Sequence, residues 1–194
     1  MDLNEKTIDR TVIYNGKIVD VEIHTVTLPN GETSTRELVY HNDAVAVCAV
    51  TPKKEVVLVK QYRKPVEKPL LEIPAGKLED DEDRVEAAKR ELEDDEDRVE
   101  AAKRELEEET GYIAKELTHV VDMYGSPGFC DEQLSIYFTD NLEEGTVHLD
   151  EDEFVEVIKV PIENVKSMLM NKEIEDAKTI IALQHLLLNY NHSK

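Results

Sequence analysis

The sequence predicts a mixed α/β (α+β) fold in which helices pack on a mixed β-sheet. Strand-like patterns fill the first third of the chain, helical periodicity occupies the middle, and further strands and two helices follow. This order of elements is typical of a sheet sandwiched by helices. We expect an N-terminal antiparallel β extension over residues 1–42 and a main domain over residues 43–194.

The first strands are predicted from alternation and from turn residues. Ile18–Leu28 alternates apolar and polar residues, Pro29-Asn30-Gly31 supplies a turn, and a second strand returns over Thr35–His41. Ala44–Thr51 is a continuous apolar run, as expected for a strand covered on both faces. With Val56–Tyr62, these segments predict a meander of at least four strands.

The middle of the chain is predicted to be helical. After a short extended piece, Leu70–Ile73, and the turn Pro74-Ala75-Gly76, apolar residues recur at helical spacing from about Asp83 to Glu109. Gly111 is a suitable residue to end this helix. The remaining elements are predicted as strands at Leu117–Tyr124, Glu132–Thr139 and Phe154–Val160 and as helices from Pro161 to about Met170 and over Asp176–Tyr190.

Composition limits the possible functions. Lys and Arg number 23 against 44 Asp and Glu, a net charge of −21, which argues against non-specific nucleic-acid binding. Cys48 and Cys130 are too few for a disulfide framework and are interpreted as reduced thiols. The polar stretch from Met1 to Arg10 has no signal-peptide pattern, and no apolar run is long enough to cross a membrane. We therefore expect a cytoplasmic protein with no membrane partner.

A 14-residue segment occurs twice in succession without a single change. Glu79–Leu92 (EDDEDRVEAAKREL) is repeated as Glu93–Leu106. Two copies are too few for a solenoid, so we interpret the repeat as a tandem duplication. Fourteen helical residues would add about 21 Å and nearly four turns. We expect the second copy to occupy the functional helix register, because it leads without interruption into Glu108, Glu109 and Gly111.

Three glutamates at the end of the predicted helix are candidate metal ligands. Glu105, Glu108 and Glu109 are spaced i, i+3 and i+4, so their carboxylates share one helix face and repel each other. A hard cation such as Mg²⁺ would be stabilised by these oxygens. Taken alone, such a cluster is more often a solvated acidic face.

The surrounding residues resemble the Nudix box. Its pattern is glycine, five residues, glutamate, seven residues, Arg-Glu-apolar, one residue, Glu-Glu, one residue, glycine and an apolar residue. Counting back from Tyr112, every position matches except the first glycine, where Arg90 stands; counting forward from Gly76, the match holds through Leu92. The box is therefore complete but interrupted by a copy of its own middle, and removal of either copy restores it.

The resemblance implies a Nudix fold and a pyrophosphohydrolase that uses Mg²⁺, with Mn²⁺ as a substitute. By this resemblance the metal ligands are Glu105, Glu108, Glu109 and the backbone carbonyl of Ala75. Arg104 orients the helix carboxylates, with Glu82 or Glu96 in support. The general base lies in the acidic loop Leu149–Phe154; Glu153 is the first candidate and Glu151 the second.

The chain is similar to the ADP-ribose pyrophosphatase branch of that family. A proline about fifteen residues past the box, here Pro127 followed by Gly128, marks enzymes of ADP-sugars, and Gln61-Tyr62-Arg63 fits the same branch. The resemblance implies hydrolysis of ADP-ribose to AMP and ribose 5-phosphate by a homodimer whose N-terminal strands reach across to the partner. Arg36 and Arg63 are candidates to bind phosphate oxygens through the guanidinium fork.

Two alternatives remain open from the sequence alone. One is hydrolysis of another nucleoside diphosphate sugar or nucleotide. The other is a Nudix-fold binding module whose catalysis is impaired by the duplication. Substrate hydrolysis in the presence of Mg²⁺ separates them.

Overall fold

A computed structural model describes residues 2–78, 97–149 and 153–189 of the chain. These residues form two compact units. The first comprises Met1–Asp43 and Met123–Gln133, and the second comprises Ala44–Asp122 and Leu134–Lys194. The division of the chain into domains at residues 42 and 43 stays a prediction.

The first unit contains a three-stranded antiparallel sheet with β2 in the middle. Its strands are β1 (Lys6–Asn15), β2 (Val19–Thr27) and β3 (Thr33–His41). The predicted turn between β2 and β3 is confirmed: the Gly31 amide donates to the Leu28 carbonyl at 2.8 Å, and Gly31 has φ 86°. Strand β1 was not predicted, because both of its faces are largely exposed and no alternating pattern marks it.

The second unit is built around a mixed seven-stranded sheet. Its central order is β12-β5-β4-β10-β9, with β6 paired to β5 and β7 paired to β4. Strand β4 runs parallel to β10 and antiparallel to β5 and β7. The strands are β4 (Ala44–Val50), β5 (Glu55–Arg63), β6 (Lys68–Glu72), β7 (Ala75–Lys77), β9 (Thr118–Tyr124), β10 (Gln133–Thr139) and β12 (Val155–Pro161). A separate pair joins β8 (Tyr112–Ala114) to β11 (Leu142–Glu144).

The predicted four-strand meander is wrong. Strands β2 and β3 belong to the three-stranded sheet, whereas β4 and β5 belong to the seven-stranded sheet. Strand β4 pairs with β10, which lies about ninety residues further along the chain, so local turn signals could not reveal its neighbour. The prediction that β4 is covered on both faces is confirmed, since all seven of its residues are buried.

Three α-helices are described: α1 (Arg98–Thr110), α2 (Ile162–Met170) and α3 (Ala177–Asn189). The apolar stripe of α1 is confirmed, because Ala102 and Leu106 are fully buried against Val45 and Val47 of β4. The predicted end at Gly111 is also confirmed: Gly111 has φ 71° and its amide donates to the Glu107 carbonyl at 2.7 Å. The predicted beginning of this helix, near Asp83, lies outside the described residues.

Helix α1 starts at a side-chain cap in the second copy of the repeat. The Val99 amide donates to Asp97 Oδ1 at 2.9 Å, which satisfies one of the amides that a helix start leaves unpaired. Arg98 NH1 donates to the buried Ser135 Oγ at 3.1 Å and so ties this end of the helix to β10. None of the helices in the described ranges has the length and apolarity that a membrane crossing requires.

Candidate metal and diphosphate site

The end of helix α1 lies beside strand β7, which contains Gly76. Burial of Ala102 and Leu106 against the sheet fixes the rotation of the helix. Glu105 and Glu109, four residues apart, therefore share the face that meets β7. The helix at this site is formed by the second copy of the repeat; Glu91, the equivalent of Glu105 in the first copy, lies outside the described residues.

Gly76 leaves the space that the Glu105 carboxylate occupies. A Cβ atom at position 76 would overlap the Cδ and both carboxylate oxygens of Glu105. Any other residue would have to displace Glu105 or the strand. The glycine that begins the family pattern thus has a steric role in this chain: it allows a carboxylate to approach the backbone of β7.

Glu109 is fixed by a backbone hydrogen bond. Its side chain accepts from the Ala75 amide at 3.1 Å, and the residue is 4% exposed. Burial raises the pKa of the Glu109 carboxyl to about 8; the Ala75 amide opposes the rise, and the negative charges of Glu105 and Glu153 add to it. A buried acidic group surrounded by other acids is costly to ionise without a cation nearby.

Glu105 has a similar environment. Burial raises the pKa of its carboxyl to about 7, Arg104 opposes the rise, and Glu108 and Glu153 add to it. Glu153 is half-buried, and its charge acts on both Glu105 and Glu109. The first-choice candidate base thus interacts electrostatically with two of the candidate ligands. Glu151, the second choice, lies outside the described residues.

Arg104 bridges two of the helix carboxylates. Its NH1 donates to Glu105 Oε1 at 2.9 Å and to Glu108 Oε2 at 3.0 Å. In this arrangement a guanidinium balances the charge of Glu105 and Glu108. Within residues 2–78, 97–149 and 153–189, no three His, Cys, Asp or Glu side chains are already arranged as a metal site.

The donor chemistry of this site fits a hard divalent cation. Glu105, Glu108 and Glu109 offer only carboxylate oxygens, the ligands that Mg²⁺ prefers over those of softer metals. Glu109 is buried and lies one helical turn from Glu105, so a nearby dication would favour the ionised forms of both carboxyls. Glu108 lies one helical turn from both Glu105 and Arg104, so it is on the same side of the helix as these two residues.

Arg63 belongs to a second charged cluster near this site. Its Nε and NH2 donate to the two oxygens of Glu72 at 2.7 and 2.8 Å, a bidentate pair. Glu72 is 2% exposed and also accepts from Lys178 Nζ. The Arg63 side chain remains 40% exposed, and its pKa is raised by the hydrogen bond to Glu72, with a smaller contribution from Glu109.

Sequence reasoning assigned no role to Glu72 or to Lys178. One signal was available, since Glu72 is a single acid between Leu70, Leu71 and Ile73, where a buried carboxylate requires a partner. The identity of that partner was not available, because Lys178 lies 106 residues away in α3.

The other predicted substrate contacts lie in the first unit. Arg36 is on β3, where its Nε donates to Glu5 Oε2 at 2.8 Å. Pro127 and Gly128 lie in a turn closed by hydrogen bonds from the Phe129 and Cys130 amides to the Ser126 carbonyl, at 3.1 and 2.9 Å. This turn borders a groove of about 300 Å³ lined by Leu38, Tyr40, Tyr124, Pro127, Phe129 and Asp131. The substrate-binding roles of Arg36, Pro127 and Gly128 stay predictions.

Comparison with known protein families gives one match, in two pieces. The family described as NUDIX domain matches residues 40–94 and 92–183. The two pieces meet inside the repeated segment, which agrees with a family pattern interrupted by a copy of its own middle.

Three relatives illustrate the range of similar proteins. An ADP-ribose pyrophosphatase of Bacillus subtilis (strain 168) is 45% identical over 188 residues, covering 96% of this chain and 94% of that protein. A methanol dehydrogenase activator of Bacillus methanolicus is 44% identical over 186 residues, covering 95% and 93%. A GDP-mannose pyrophosphatase of Escherichia coli (strain K12) is 30% identical over 154 residues, covering 75% and 73%.

The fold has a counterpart among solved structures. The crystal structure of an ADP compounds hydrolase matches with a TM-score of 0.77 over 99% of this chain and 97% of that chain. At 20% sequence identity, this likeness concerns the fold alone. It confirms the predicted fold of a mixed sheet with packed helices.

Proposed function

This chain belongs to the NUDIX domain family, and from that premise we propose that it hydrolyses ADP-ribose to AMP and ribose 5-phosphate. It is a Nudix hydrolase. The observation that carries the proposal is the approach of Glu105 and Glu109 to the Ala75–Gly76 backbone, where a cation and a diphosphate would meet. The name of the B. subtilis relative supports ADP-ribose as the substrate.

The proposed cation is Mg²⁺, with Mn²⁺ as a substitute. Glu105, Glu108, Glu109 and the Ala75 carbonyl would hold it. When bound, such an ion neutralises diphosphate charge and lowers the pKa of a coordinated water. The oxygen-only donor set and the burial of Glu109 support this assignment.

The chain's own residues would perform the remaining steps. Glu153 would accept a proton from the attacking water, whose oxygen forms a bond to one phosphorus while the bridging P–O bond breaks. Arg63, oriented by Glu72, would donate hydrogen bonds to the diphosphate oxygens. The electrostatic interaction of Glu153 with Glu105 and Glu109 supports its choice as the base.

A homodimer and a cytoplasmic location complete the proposal. Strand β1 exposes Ile8, Val12 and Tyr14 by 54%, 62% and 56%, and so presents apolar side chains that a second copy of the chain could cover. Analytical ultracentrifugation of the full chain tests the dimer.

A substrate panel tests the proposed activity. With Mg²⁺ present, we expect kcat/KM for ADP-ribose to exceed that for GDP-mannose by roughly tenfold or more, a difference of about 1.4 kcal/mol in transition-state binding. Chromatography should show AMP and ribose 5-phosphate in equal amounts, and EDTA should abolish both. A higher kcat/KM for GDP-mannose than for ADP-ribose would contradict ADP-ribose as the proposed substrate. An absence of hydrolysis across the whole panel would favour the alternative of a Nudix-fold binding module.

Deletion of one copy of the repeat tests whether the duplication disturbs the fold. Removal of Glu79–Leu92 shortens the connection between Leu78 and Asp97 from 18 residues to 4. For unstructured connections of these two lengths, closure entropies differ by about 1 kcal/mol in favour of the shorter one, from (3/2)RT ln(18/4). We expect a higher free energy of unfolding in urea, with kcat equal to or above that of the full chain.

A length-matched control accompanies the deletion. In it, the first copy is replaced by 14 Gly and Ser residues, and we expect no gain in stability. A deletion variant that is less stable or less active than the full chain would show that residues 79–92 make contacts that the fold requires.

A further inference from the structure

The segment Glu72–Gly76 connects the two charged groups of the candidate site. Its first residue, Glu72, holds Arg63 through a bidentate pair. Its later residues, Ala75 and Gly76, lie against Glu109 and Glu105. The geometry of the site therefore depends on how this short segment is held.

Thr179 of helix α3 holds the middle of the segment. The Ile73 amide donates to Thr179 Oγ1 at 2.8 Å, and both residues are fully buried. Thr179 Oγ1 in turn donates to Asp176 Oδ2 at 2.6 Å, which fixes the orientation of the hydroxyl. Because no water reaches this bond, loss of the hydroxyl would leave the Ile73 amide without its acceptor.

Asp176 and Lys178 attach the same helix end to Glu72. Asp176 Oδ2 accepts from the Thr179 amide at 2.9 Å and caps α3. Lys178 Nζ donates to Asp176 Oδ1 at 3.1 Å and also to Glu72. The first turn of α3 thus contacts the segment at two points, Glu72 and Ile73.

A displacement at Ile73 would be transmitted to Ala75. Only Pro74 lies between them, and its ring restricts the backbone. The Pro74 carbonyl also accepts from the Val47 amide of β4 at 2.9 Å, so Thr179 and β4 together fix the path of the chain from Ile73 to Ala75. A shift of a few tenths of an ångström at Ile73 would therefore move the Ala75 amide away from Glu109.

We propose that Thr179, supported by Asp176 and Lys178, is a positioning residue that sets the Glu72–Gly76 segment in the geometry needed for cation binding and diphosphate hydrolysis. This inference rests on the proposed function and deepens it. Thr179 is fully buried and would touch neither cation nor substrate. It acts through Ile73 on Ala75 and Glu109, and Lys178 acts through Glu72 on Arg63.

The test compares Thr179→Val with Thr179→Ser in the full chain. Valine keeps the shape and removes the hydroxyl, whereas serine keeps the hydroxyl. We expect Thr179→Val to raise the Mn²⁺ dissociation constant about tenfold, measured from the electron paramagnetic resonance signal of free Mn²⁺, and to lower kcat by a similar factor. Thr179→Ser should restore both to within about twofold of the wild type.

Thr139→Val is the matched control. Thr139 is 3% exposed, and its Oγ1 accepts from the Asn141 amide at 3.2 Å, so this variant also removes a buried hydroxyl that serves a backbone amide. We expect it to lower the melting temperature without changing the Mn²⁺ dissociation constant. If Thr179→Val cannot be obtained folded, Asp176→Asn weakens the same hydroxyl contact and should raise the Mn²⁺ dissociation constant about threefold.

The outcomes separate this inference from the proposed function. If the wild type binds Mn²⁺ but hydrolyses no nucleotide, the proposed function is wrong. The Mn²⁺ dissociation constants of the wild type and the Thr179 variants still test the positioning role of Thr179 in that case. If the wild type hydrolyses ADP-ribose and Thr179→Val binds Mn²⁺ as tightly as Thr139→Val does, the positioning role is wrong. Failure of serine to restore Mn²⁺ binding would also overturn it.

Discussion

Glu109→Gln is expected to lower kcat by about 100-fold or more, because it removes a negative charge from the centre of the proposed cation site. Glutamine has nearly the same shape, and its side-chain carbonyl can still accept from the Ala75 amide, the partner of Glu109 at 3.1 Å. The fold is therefore retained while the charge is lost. Steady-state kinetics with ADP-ribose and Mg²⁺ measure the effect.

The same variant is expected to be at least as stable as the wild type in the absence of metal. The Glu109 carboxyl is buried, and its pKa is raised to about 8, so its ionisation opposes folding at higher pH. Glutamine removes that cost. A loss of activity without a loss of stability distinguishes a functional charge from a structural one.

Glu100→Gln on the same helix is the control. Glu100 lies in the first turn of α1, its side chain is 63% exposed, and it pairs only with Lys103 among the described salt bridges. We expect its kcat to equal that of the wild type. Equal activity of Glu109→Gln and Glu100→Gln would contradict the proposed role of Glu109.

Glu72→Gln is expected to lower the free energy of unfolding by about 2–3 kcal/mol. The substitution leaves Arg63 and Lys178 without the carboxylate that both contact, and Lys178 is only 12% exposed. Removal of one partner from a buried ion pair costs about 3–5 kcal/mol, and the partial exposure of Arg63 reduces this figure. Urea denaturation measures the difference.

The effect of Glu72 on stability has a defined pH dependence. Burial alone would raise the pKa of Glu72, but the hydrogen bond from Arg63 and the charge of Lys178 outweigh burial and lower it. A carboxyl with a lowered folded-state pKa stabilises the fold above its unfolded pKa, and this contribution is lost as the pH falls through the folded value. The difference in the free energy of unfolding between the wild type and Glu72→Gln should therefore shrink as the pH falls below 4.5, the ordinary pKa of a glutamate.

Glu175→Gln provides the comparison for this prediction. Glu175 also pairs with a lysine, Lys68, but both side chains are about half exposed, at 54% and 46%. An exposed ion pair of this kind contributes roughly 0–1 kcal/mol to the free energy of unfolding, so we expect Glu175→Gln to change that free energy little. If Glu72→Gln lowers the free energy of unfolding no more than Glu175→Gln does, the buried cluster around Glu72 does not stabilise the fold.

Local sequence patterns predicted the elements that bury apolar side chains. The stripe of α1, its end at Gly111 and the covered strand β4 follow from spacing and burial, which a single sequence displays. Strand β1 has no such pattern, because residues such as Val12 and Tyr14 are exposed although the backbone pairs with β2. The formation of β1 depends on backbone hydrogen bonds to β2, which the spacing of apolar residues cannot predict.

The candidate site was predictable only in part. The spacing of Glu105, Glu108 and Glu109, together with the resemblance to the Nudix box, identified candidate ligands, but their burial and their approach to Gly76 required the structure. The cluster around Glu72 depends on Lys178 and the nearby Thr179, which lie more than one hundred residues away in the chain. Long-range pairs of this kind cannot be read from one sequence, because nothing in the sequence links the two positions.

The most direct test of the proposed cation site is anomalous diffraction from crystals of the full chain soaked in Mn²⁺. We predict a manganese peak bonded to carboxylate oxygens of Glu105, Glu108 and Glu109 at about 2.0–2.4 Å, within the range for hard cations. Crystals in which these three carboxylates face bulk solvent, with no manganese peak beside them, would contradict the account.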